Sequence, residues 1–441
     1  MLAAPGLSAA PRRPNFVFIM ADDLGAFDLS CYGRPDYRTP RIDSLASDGI
    51  KFGFGYSSSA SCTATRVGLI SGRYPNRVPV GTVSGGGAPS TTLGYEGRWP
   101  SLARTLKNAG YRTALIGKWN LGEPPNFSPR KCGYDEFFGF NAGATDYWSH
   151  DRGSPFGGQT RSPDFYENGT PVRFEGYLTD VLSQRAADFI ARAGQKPFLL
   201  SLHYNAPHWP WQTRADRASR RRNDIHFDGG SLRSYADMML ALDEGVGQVL
   251  DALDRHGLAR DTVVVFTSDN GGERFSYLWP LRGSKDSLLE GGVRVPLLVR
   301  WPGRIAPGTV TGQVALSMDW LPTFAALAGA ATDRAMPPDG IDLSPQLLGA
   351  TEVARTVHWK TPRAQSALAF PWKYLRDASG EYLFNLRDDP TENANFKLSY
   401  ADEFERLKGK AAQWLQGMLP SAPAGRAVDS LRSLDGPPAP R

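Results

Sequence analysis

The sequence predicts an α/β fold: a large, mostly parallel sheet sandwiched by helices, with a small antiparallel sheet near the C-terminus. Three observations predict it. Short apolar runs of β character alternate four times with helical patterns, those runs end in polar or charged clusters, and after about Gly349 the pattern changes to short alternating strands. Continuous apolar runs, rather than strict alternation, mark strands buried on both faces, as in parallel sheets covered by helices.

The first run, Asn15 to Met20 (NFVFIM), delivers the acidic turn Ala21, Asp22, Asp23, Leu24, Gly25 from its carboxyl end. Helical patterns follow at Pro40 to Asp48, Thr65 to Ser71 and Ser101 to Gly110, and the strand Thr113 to Ile116 then leads into Gly117 and Lys118. A helix from about Thr179 to Ala193 precedes the strand Pro197 to His203, and a long amphipathic helix, Ser234 to His256, precedes the strand Thr262 to Thr267. Pro296 to Val299 reads as a further buried strand. Ligands of such sheets sit beyond the carboxyl ends of the strands. Here those ends read Asp22 and Asp23, Gly117 and Lys118, Tyr204 to His208, and Ser268 to Gly272. Beyond Gly349, Thr356 to Trp359, Ala367 to Leu375 and Glu381 to Leu386 read as short strands, followed by a helix from about Tyr400 to Met418. The predicted organisation is an α/β unit over 14–349, a smaller unit over 350–419 and a Pro/Ala-rich tail over 420–441.

Composition narrows the class. Of 441 residues, 41% are hydrophobic and 22% charged, which excludes a disordered or coiled-coil chain. No apolar run approaches the ~18 residues of a membrane span, so the expectation is a soluble protein with no membrane partner. Fifty basic against 45 acidic residues leave a net charge of +5, too weak to call for nucleic acid. The cluster Arg217, Arg220, Arg221, Arg222 reads as a solvated loop or as a rim that attracts anions. Cys31, Cys62 and Cys132 are too few and too scattered for a disulfide framework or a zinc cluster. The opening MLAAPGLSAAPRRP carries its basic pair after the apolar part, the reverse of a secretory signal, and Asn168, Gly169, Thr170 form a glycosylation triplet common by chance. As it stands the chain reads as cytoplasmic, and as periplasmic or secreted only with a trimmed or reassigned start. The residues decide no oligomeric state.

The segment from Gly110 to Lys118 has the wrong spacing for a Walker loop, and there is neither a G-x-S-x-G elbow nor an H-E-x-x-H. What stands out is oxygen. Asp22 with Asp23, and Asp269 with Asn270, bring three carboxylates and an amide oxygen to one sheet edge. Alone, each pair is a turn or a helix cap; together they would repel without a cation, and hard oxygen donors suit calcium or magnesium rather than zinc. Cys62 stands in SSSASCTATR, where small residues give way to a helix, so backbone N–H groups there stabilise an anion. Arg66 lies one helical turn on, on the same face.

With these residues placed, the sequence resembles the sulfatases of the alkaline-phosphatase superfamily. Their signature, Cys or Ser, any residue, Pro or Ala, any residue, Arg, reads Cys62, Thr63, Ala64, Thr65, Arg66 here. The likeness continues through NFVFIMADDLG, TPRIDSLASDGIKF, LISGRYPNR, AGYRTALIGKWNLG, GYDEFFGF, HYNAPHWP, TSDNGG, PLRGSKDSLLEGGVRVPLLVRWPG and EYLFNLRDDPTENAN, in order. It implies an alkaline-phosphatase-like fold and hydrolysis of a sulfate monoester on an aryl or carbohydrate alcohol. It also implies that Cys62 is oxidised to formylglycine by a formylglycine-generating enzyme. One hydroxyl of the hydrated aldehyde then attacks sulfur and displaces the alcohol, and deprotonation of the other expels sulfate and regenerates the aldehyde. By the same resemblance Asp22, Asp23, Asp269, Asn270 and converted Cys62 hold Ca²⁺, with Mg²⁺ the second choice. Arg66, Lys118 and Lys285 neutralise the sulfate oxygens, and His208 protonates or stabilises the leaving oxygen. Aromatic faces near the site stack on sugars or aryl rings, which nominates Trp148, His150 and Trp209 as substrate-binding residues, with Asn120 beside the nucleophile. His203, ending an apolar strand, is expected in the core.

Two positions depart from the family. Ala64 stands where Pro is usual, and the family's G-K-W-H-L-G reads Gly117, Lys118, Trp119, Asn120, Leu121, Gly122. The histidine that would deprotonate the hydrate is thus an amide that takes no proton at neutral pH. Slow turnover, a base from elsewhere, or a different ester is expected. The competing functions are a phosphodiesterase or phosphonate monoester hydrolase with the same apparatus, and a degenerate sulfatase that binds sulfated ligands without turnover.

Overall fold

The computed structural model describes residues 13–83, 89–152, 163–218 and 229–421. Arg220, Arg221 and Arg222, residues 1–12 of the opening stretch and residues 422–441 of the tail lie outside them.

In chain order the principal elements are β1 (Asn15–Ala21), α1 (Pro40–Ser47), β2 (Ile50–Phe52), β3 (Gly55–Tyr56), α2 (Cys62–Ser71), α3 (Leu102–Asn108), β4 (Arg112–Lys118), β5 (Glu136–Phe140), β6 (Phe165–Glu167), β7 (Thr170–Pro171), α4 (Leu178–Ala191), β8 (Phe198–His203), α5 (Leu232–Arg255), β9 (Thr262–Ser268), α6 (Glu290–Val293), β10 (Leu297–Arg300), β11 (Thr309–Thr311), β12 (Ala315–Leu316), α7 (Trp320–Ala328), α8 (Ser344–Leu347), β13 (Val357–Lys360), β14 (Gln365–Ala369), β15 (Trp372–Asp377), β16 (Gly380–Asn385) and α9 (Ala401–Leu415). Ten strands form one sheet in the order β11-β2-β10-β9-β1-β8-β4-β5-β6-β7. β1 lies at its centre, parallel to β8 on one side and to β9 on the other, with Phe16 opposite Leu199 and Val263.

The all-apolar character of β1 follows from that position. Successive side chains of a strand point to opposite faces. Val17, Ile19 and Ala21 enter a core shared with α4 and α5, while Phe16, Phe18 and Met20 enter a second core against α2, α3 and α7. Both faces are therefore dry, and the strand has no polar side to show. α5 begins where Ser231 caps it, its side chain accepting from the Ser234 N–H.

The C-terminal sheet, β13-β14-β15-β16, is antiparallel throughout. The stretch from Ala367 to Leu375, expected as one strand, is two: β14 and β15 form a hairpin that turns at Phe370 and Pro371. Proline cannot donate to a ladder, so the chain reverses there although apolar residues run across the turn. The helix expected from Thr65 starts three residues earlier, at Cys62.

Candidate active site

The carboxyl ends of β1, β9, β4 and β8 converge on one edge of the sheet. Beyond β1, Asp22 and Asp23 are buried, and Asp23 adopts a left-handed φ of 64°. Such a conformation costs a non-glycine residue free energy and persists where the surroundings hold it. Here the Asp23 N–H donates to Asp269 Oδ1 (3.2 Å) and Asn270 Nδ2 donates to Asp23 Oδ1 (2.7 Å), so the two acidic pairs are tied across β1 and β9.

Three cations meet these carboxylates. Lys118 Nζ lies 2.5 Å from Asp22 Oδ2, Lys285 Nζ 2.8 Å from Asp23 Oδ2, and Arg66 places Nε and Nη2 at 3.1 and 2.8 Å from Asp269 Oδ2. Burial, with Asp269 beside it, holds the Asp22 carboxyl well above the usual range. Burial acts on Asp23 in the same direction, but Lys285 and His208 outweigh it and bring its pKa well down. Burial works against charge on Lys285 and Arg66 too, yet Asp23 raises Lys285, and Asp269 with Asp22 raises Arg66, so both stay charged.

Lys118 owes its place to Gly117. That residue has φ 107°, and a Cβ on it would lie 1.9 Å from the His203 carbonyl oxygen, so only glycine lets β4 approach β8 so closely at this edge. His203 is indeed in the core, edge-on to Phe18, but its role was not legible: Nδ1 lies 3.2 Å from the Lys118 carbonyl oxygen and 3.3 Å from Arg66 Nη1. It backs the arginine from below. The one available signal was register, since His203 pairs with Gly117.

Cys62 opens α2, half-buried, with Ser61 in extended conformation before it and Arg66 one turn on. Burial pushes its thiol pKa up. Asn120, at φ 53°, donates Nδ2 to Cys62 Sγ (3.1 Å) and to Thr63 Oγ1 (3.0 Å). His208 shares its Nδ1 with the Trp209 carbonyl oxygen (2.6 Å); because a carbonyl only accepts, that nitrogen carries the proton, and Nε2 faces Asp23 Oδ2 at 3.6 Å. One donor atom each from Asp22, Asp23 and His208 lie within 4.8 Å of one another.

The nominated aromatic residues separate. Trp209 lies beside His208, ring centroids 5.0 Å apart. Trp148 donates Nε1 to the Thr213 carbonyl, and His150 stacks on Phe174 at 4.0 Å while Nε2 meets the Gly176 carbonyl. Their polar groups are thus engaged by backbone carbonyls of other segments, before α4 and after β8, rather than by the carboxylates of the site.

The C-terminal sheet braces the site from behind. Trp359 donates Nε1 to the Ser57 carbonyl (2.8 Å) on the segment leading to Cys62. Lys373 Nζ reaches Glu290 Oε1 and Glu392 Oε1, each at 2.8 Å, and α6, which begins at Glu290, accepts the Gly271 N–H through the Gly292 carbonyl. None of these residues was foreseen, because a buried charged network leaves no periodicity in a sequence.

Similarity to known proteins gives the family. The sulfatase family profile matches residues 14–330. The chain belongs to the sulfatase family. It is 35% identical to mouse (Mus musculus) steryl-sulfatase over 77% of its length and 66% of that protein's, just under two thirds of it. It is also 35% identical to N-acetylgalactosamine-6-sulfatase of Canis lupus familiaris (81% and 71%) and to Homo sapiens arylsulfatase A (78% and 70%). Among solved structures, Ps i-CgsB in complex with k-i-k-neocarrahexaose superposes with a TM-score of 0.84 at 28% identity, covering 93% of this chain and 94% of that one. This sulfatase-family chain is accordingly a sulfuric ester hydrolase with the large mixed sheet and small antiparallel sheet of its relatives. Among the described residues, no helix is long and apolar enough to cross a membrane.

Proposed function

We propose that the site hydrolyses an aryl or carbohydrate sulfate monoester with Cys62, converted to formylglycine, as nucleophile and a calcium ion held beside it. The carrying observation is the meeting of a helix-opening Cys62, Arg66 one turn on, and three buried carboxylates matched by three cations, of which Arg66 and Lys118 are buried and Lys285 half-buried. The names of the relatives span steryl, aryl and N-acetylgalactosamine-6-sulfate substrates, which supports the ester and leaves the alcohol open.

The residues fit the cation. Asp22 Oδ1 and Asn270 Oδ1 are buried and meet no hydrogen-bond donor among the described residues, and hard oxygens of this kind suit calcium. The three carboxylates and three cations balance one another, so a divalent cation would add positive charge that the monoanionic sulfate ester offsets in part and the product sulfate dianion in full. Asp22, Asp23, Asp269 and Asn270, with converted Cys62, would hold the ion. When present, the converted residue and the ion would supply a geminal diol as nucleophile and a Lewis acid beside it.

The chain's own residues do the rest. Lys118 and Lys285 exchange their carboxylate partners for sulfate oxygens, neutralising charge that grows as the ester bond breaks. Arg66, gripped by Asp269, keeps its guanidinium fixed on the nucleophile's side of the site. His208, oriented by the Trp209 carbonyl, presents Nε2 to the departing oxygen. Asn120 hydrogen-bonds the side chain of residue 62 without taking a proton, so sulfate release is slow. Residues 63–71 are buried in α2, which means that the converting enzyme must reach Cys62 before the chain folds.

Peptide mass spectrometry across Ser61 to Arg66, paired with p-nitrophenyl sulfate and phosphate assays, tests this reading. Conversion with sulfate release supports it. A retained thiol with no turnover after co-expression with a converting enzyme overturns it in favour of sulfated-ligand binding, and preferential phosphate-ester turnover in favour of a phosphodiesterase.

A further inference from the structure

Tryptophan is among the residues most deeply buried on average, and exposing its indole forgoes a large hydrophobic gain. Trp279 is 73% exposed, and no hydrogen bond or ring contact joins it to a described residue. Its position is specific. It lies on a loop whose neck closes beside the site, where the Lys285 N–H donates to the Gly272 carbonyl (3.0 Å), so Asn270 and Lys285 stand on either side of that neck.

The loop is held firmly. Ser276 Oγ and the Tyr277 N–H donate to the buried Asp28 carboxylate at 2.5 and 2.7 Å, and the Leu281 N–H closes a turn on the Leu278 carbonyl (2.7 Å). Leu278 packs so closely on the acidic turn that a Cβ at Gly25 would meet its Cδ2 at 2.9 Å. Trp279 is therefore one residue from a contact with the segment carrying Asp22 and Asp23. Residues 273–278 are half-buried, so the exposure of the indole is imposed by a rigid loop rather than by fraying. Arg282, three residues on, is exposed as well, its Nη1 on Asn393 Oδ1 at 3.0 Å.

We propose that Trp279 is a stacking platform for a sugar ring of a sulfated oligosaccharide, next to the ring whose ester is cleaved; this rests on the sulfatase reading of the site. A flat, preorganised indole matches the apolar C–H face of a pyranose at little entropic cost. A sterol would instead need an enclosed apolar cleft, and a simple aryl sulfate has no second ring to place there. Arg282 supplies positive charge for a further sulfate on the same chain.

The test compares converted wild type, W279A and W279F on p-nitrophenyl sulfate and on carrageenan and chondroitin 6-sulfate hexasaccharides. The expected result is that W279A lowers kcat/KM for the preferred hexasaccharide, relative to p-nitrophenyl sulfate, about tenfold and mainly through KM, while W279F keeps most of it. An unchanged ratio, or W279F losing as much as W279A, overturns the platform. So does a wild type that hydrolyses p-nitrophenyl sulfate but neither cleaves nor binds any hexasaccharide, an outcome that leaves the sulfatase reading intact. Should wild type cleave no ester at all, that reading fails separately and hexasaccharide Kd decides the platform: a tenfold weakening in W279A sustains it, and equal binding overturns it.

Discussion

Arg66 grips a single oxygen of Asp269 with two nitrogens, Nε at 3.1 Å and Nη2 at 2.8 Å, while its Nη2 also lies 3.8 Å from Asp22 Oδ2. All three side chains are buried. Removing one partner of a buried ion pair strands the other, which costs more than the pair contributes. Arg66→Ala should therefore lower the stability of the calcium-free protein by about 3–5 kcal/mol, read as a shift of the urea midpoint. Arg66→Lys keeps the charge and loses the fork, so its stability should lie between the two while sulfatase activity falls nearly as far. An Arg66→Ala protein melting with wild type would show that Asp269 needs no partner.

Asn120 donates to Cys62 Sγ where a proton acceptor would be expected of this family. General-base catalysis typically contributes about 10²–10⁴-fold, so Asn120→His should raise the rate of sulfate release by about two orders of magnitude. Single-turnover kinetics separate release from ester cleavage, which should change little. An unaltered release rate would mean that another group already serves as base.

Chelation should unload the carboxylates. Asp22 and Asn270 each hold a buried oxygen that meets no donor among the described residues, so on the proposed reading calcium should bind the folded chain far better than the unfolded one. At a calcium concentration 100-fold above Kd, that linkage stabilises the fold by about 2.7 kcal/mol. EDTA should lower Tm and stop hydrolysis, and added calcium should restore both more fully than magnesium. A Tm indifferent to EDTA and calcium would remove the cation from the site.

A pH effect is expected from the buried charged network behind the site. Burial, with Glu290 nearby, pushes the Glu392 carboxyl up to about 7 in spite of Lys373. The folded chain then holds a proton that the unfolded chain has released, so this group's stabilisation is complete below pH ~4.5 and is lost as pH rises through about 7. Glu392→Gln, which cannot ionise, should flatten the fall in stability between pH 5 and pH 8. Parallel pH–stability curves for the two proteins would place the titration elsewhere.

The chemistry was legible in the sequence wherever it lies in short, local strings. NFVFIM followed by Asp22 and Asp23 shows a buried strand and its cargo together, because a strand dry on both faces has no polar residue to interrupt it. Cys62 and Arg66 are legible for the same reason, one turn apart on one helix. The aromatic nominations were weaker. Residue type and loop position cannot say which way a ring points, and Trp148 and His150 spend their polar atoms on neighbouring carbonyls. The hairpin at Pro371 was missed because apolar residues run on across the turn.

By itself, then, the sequence determined the parallel core and the family, and it nominated the residues proposed as nucleophile and oxygen cluster, since each is written in contiguous side chains and their period. The tertiary structure alone decided how these parts neutralise one another. Lys118 meets Asp22 across 96 positions and Lys285 meets Asp23 across 262, and His203 comes up beneath Arg66 only because β4 and β8 are neighbours. It also decided that Lys373, Glu290 and Glu392 share one buried site and that Trp279 stands in water beside the acidic turn. Charge pairing and exposure depend on through-space distance in a low-dielectric interior, and chain separation carries no record of either.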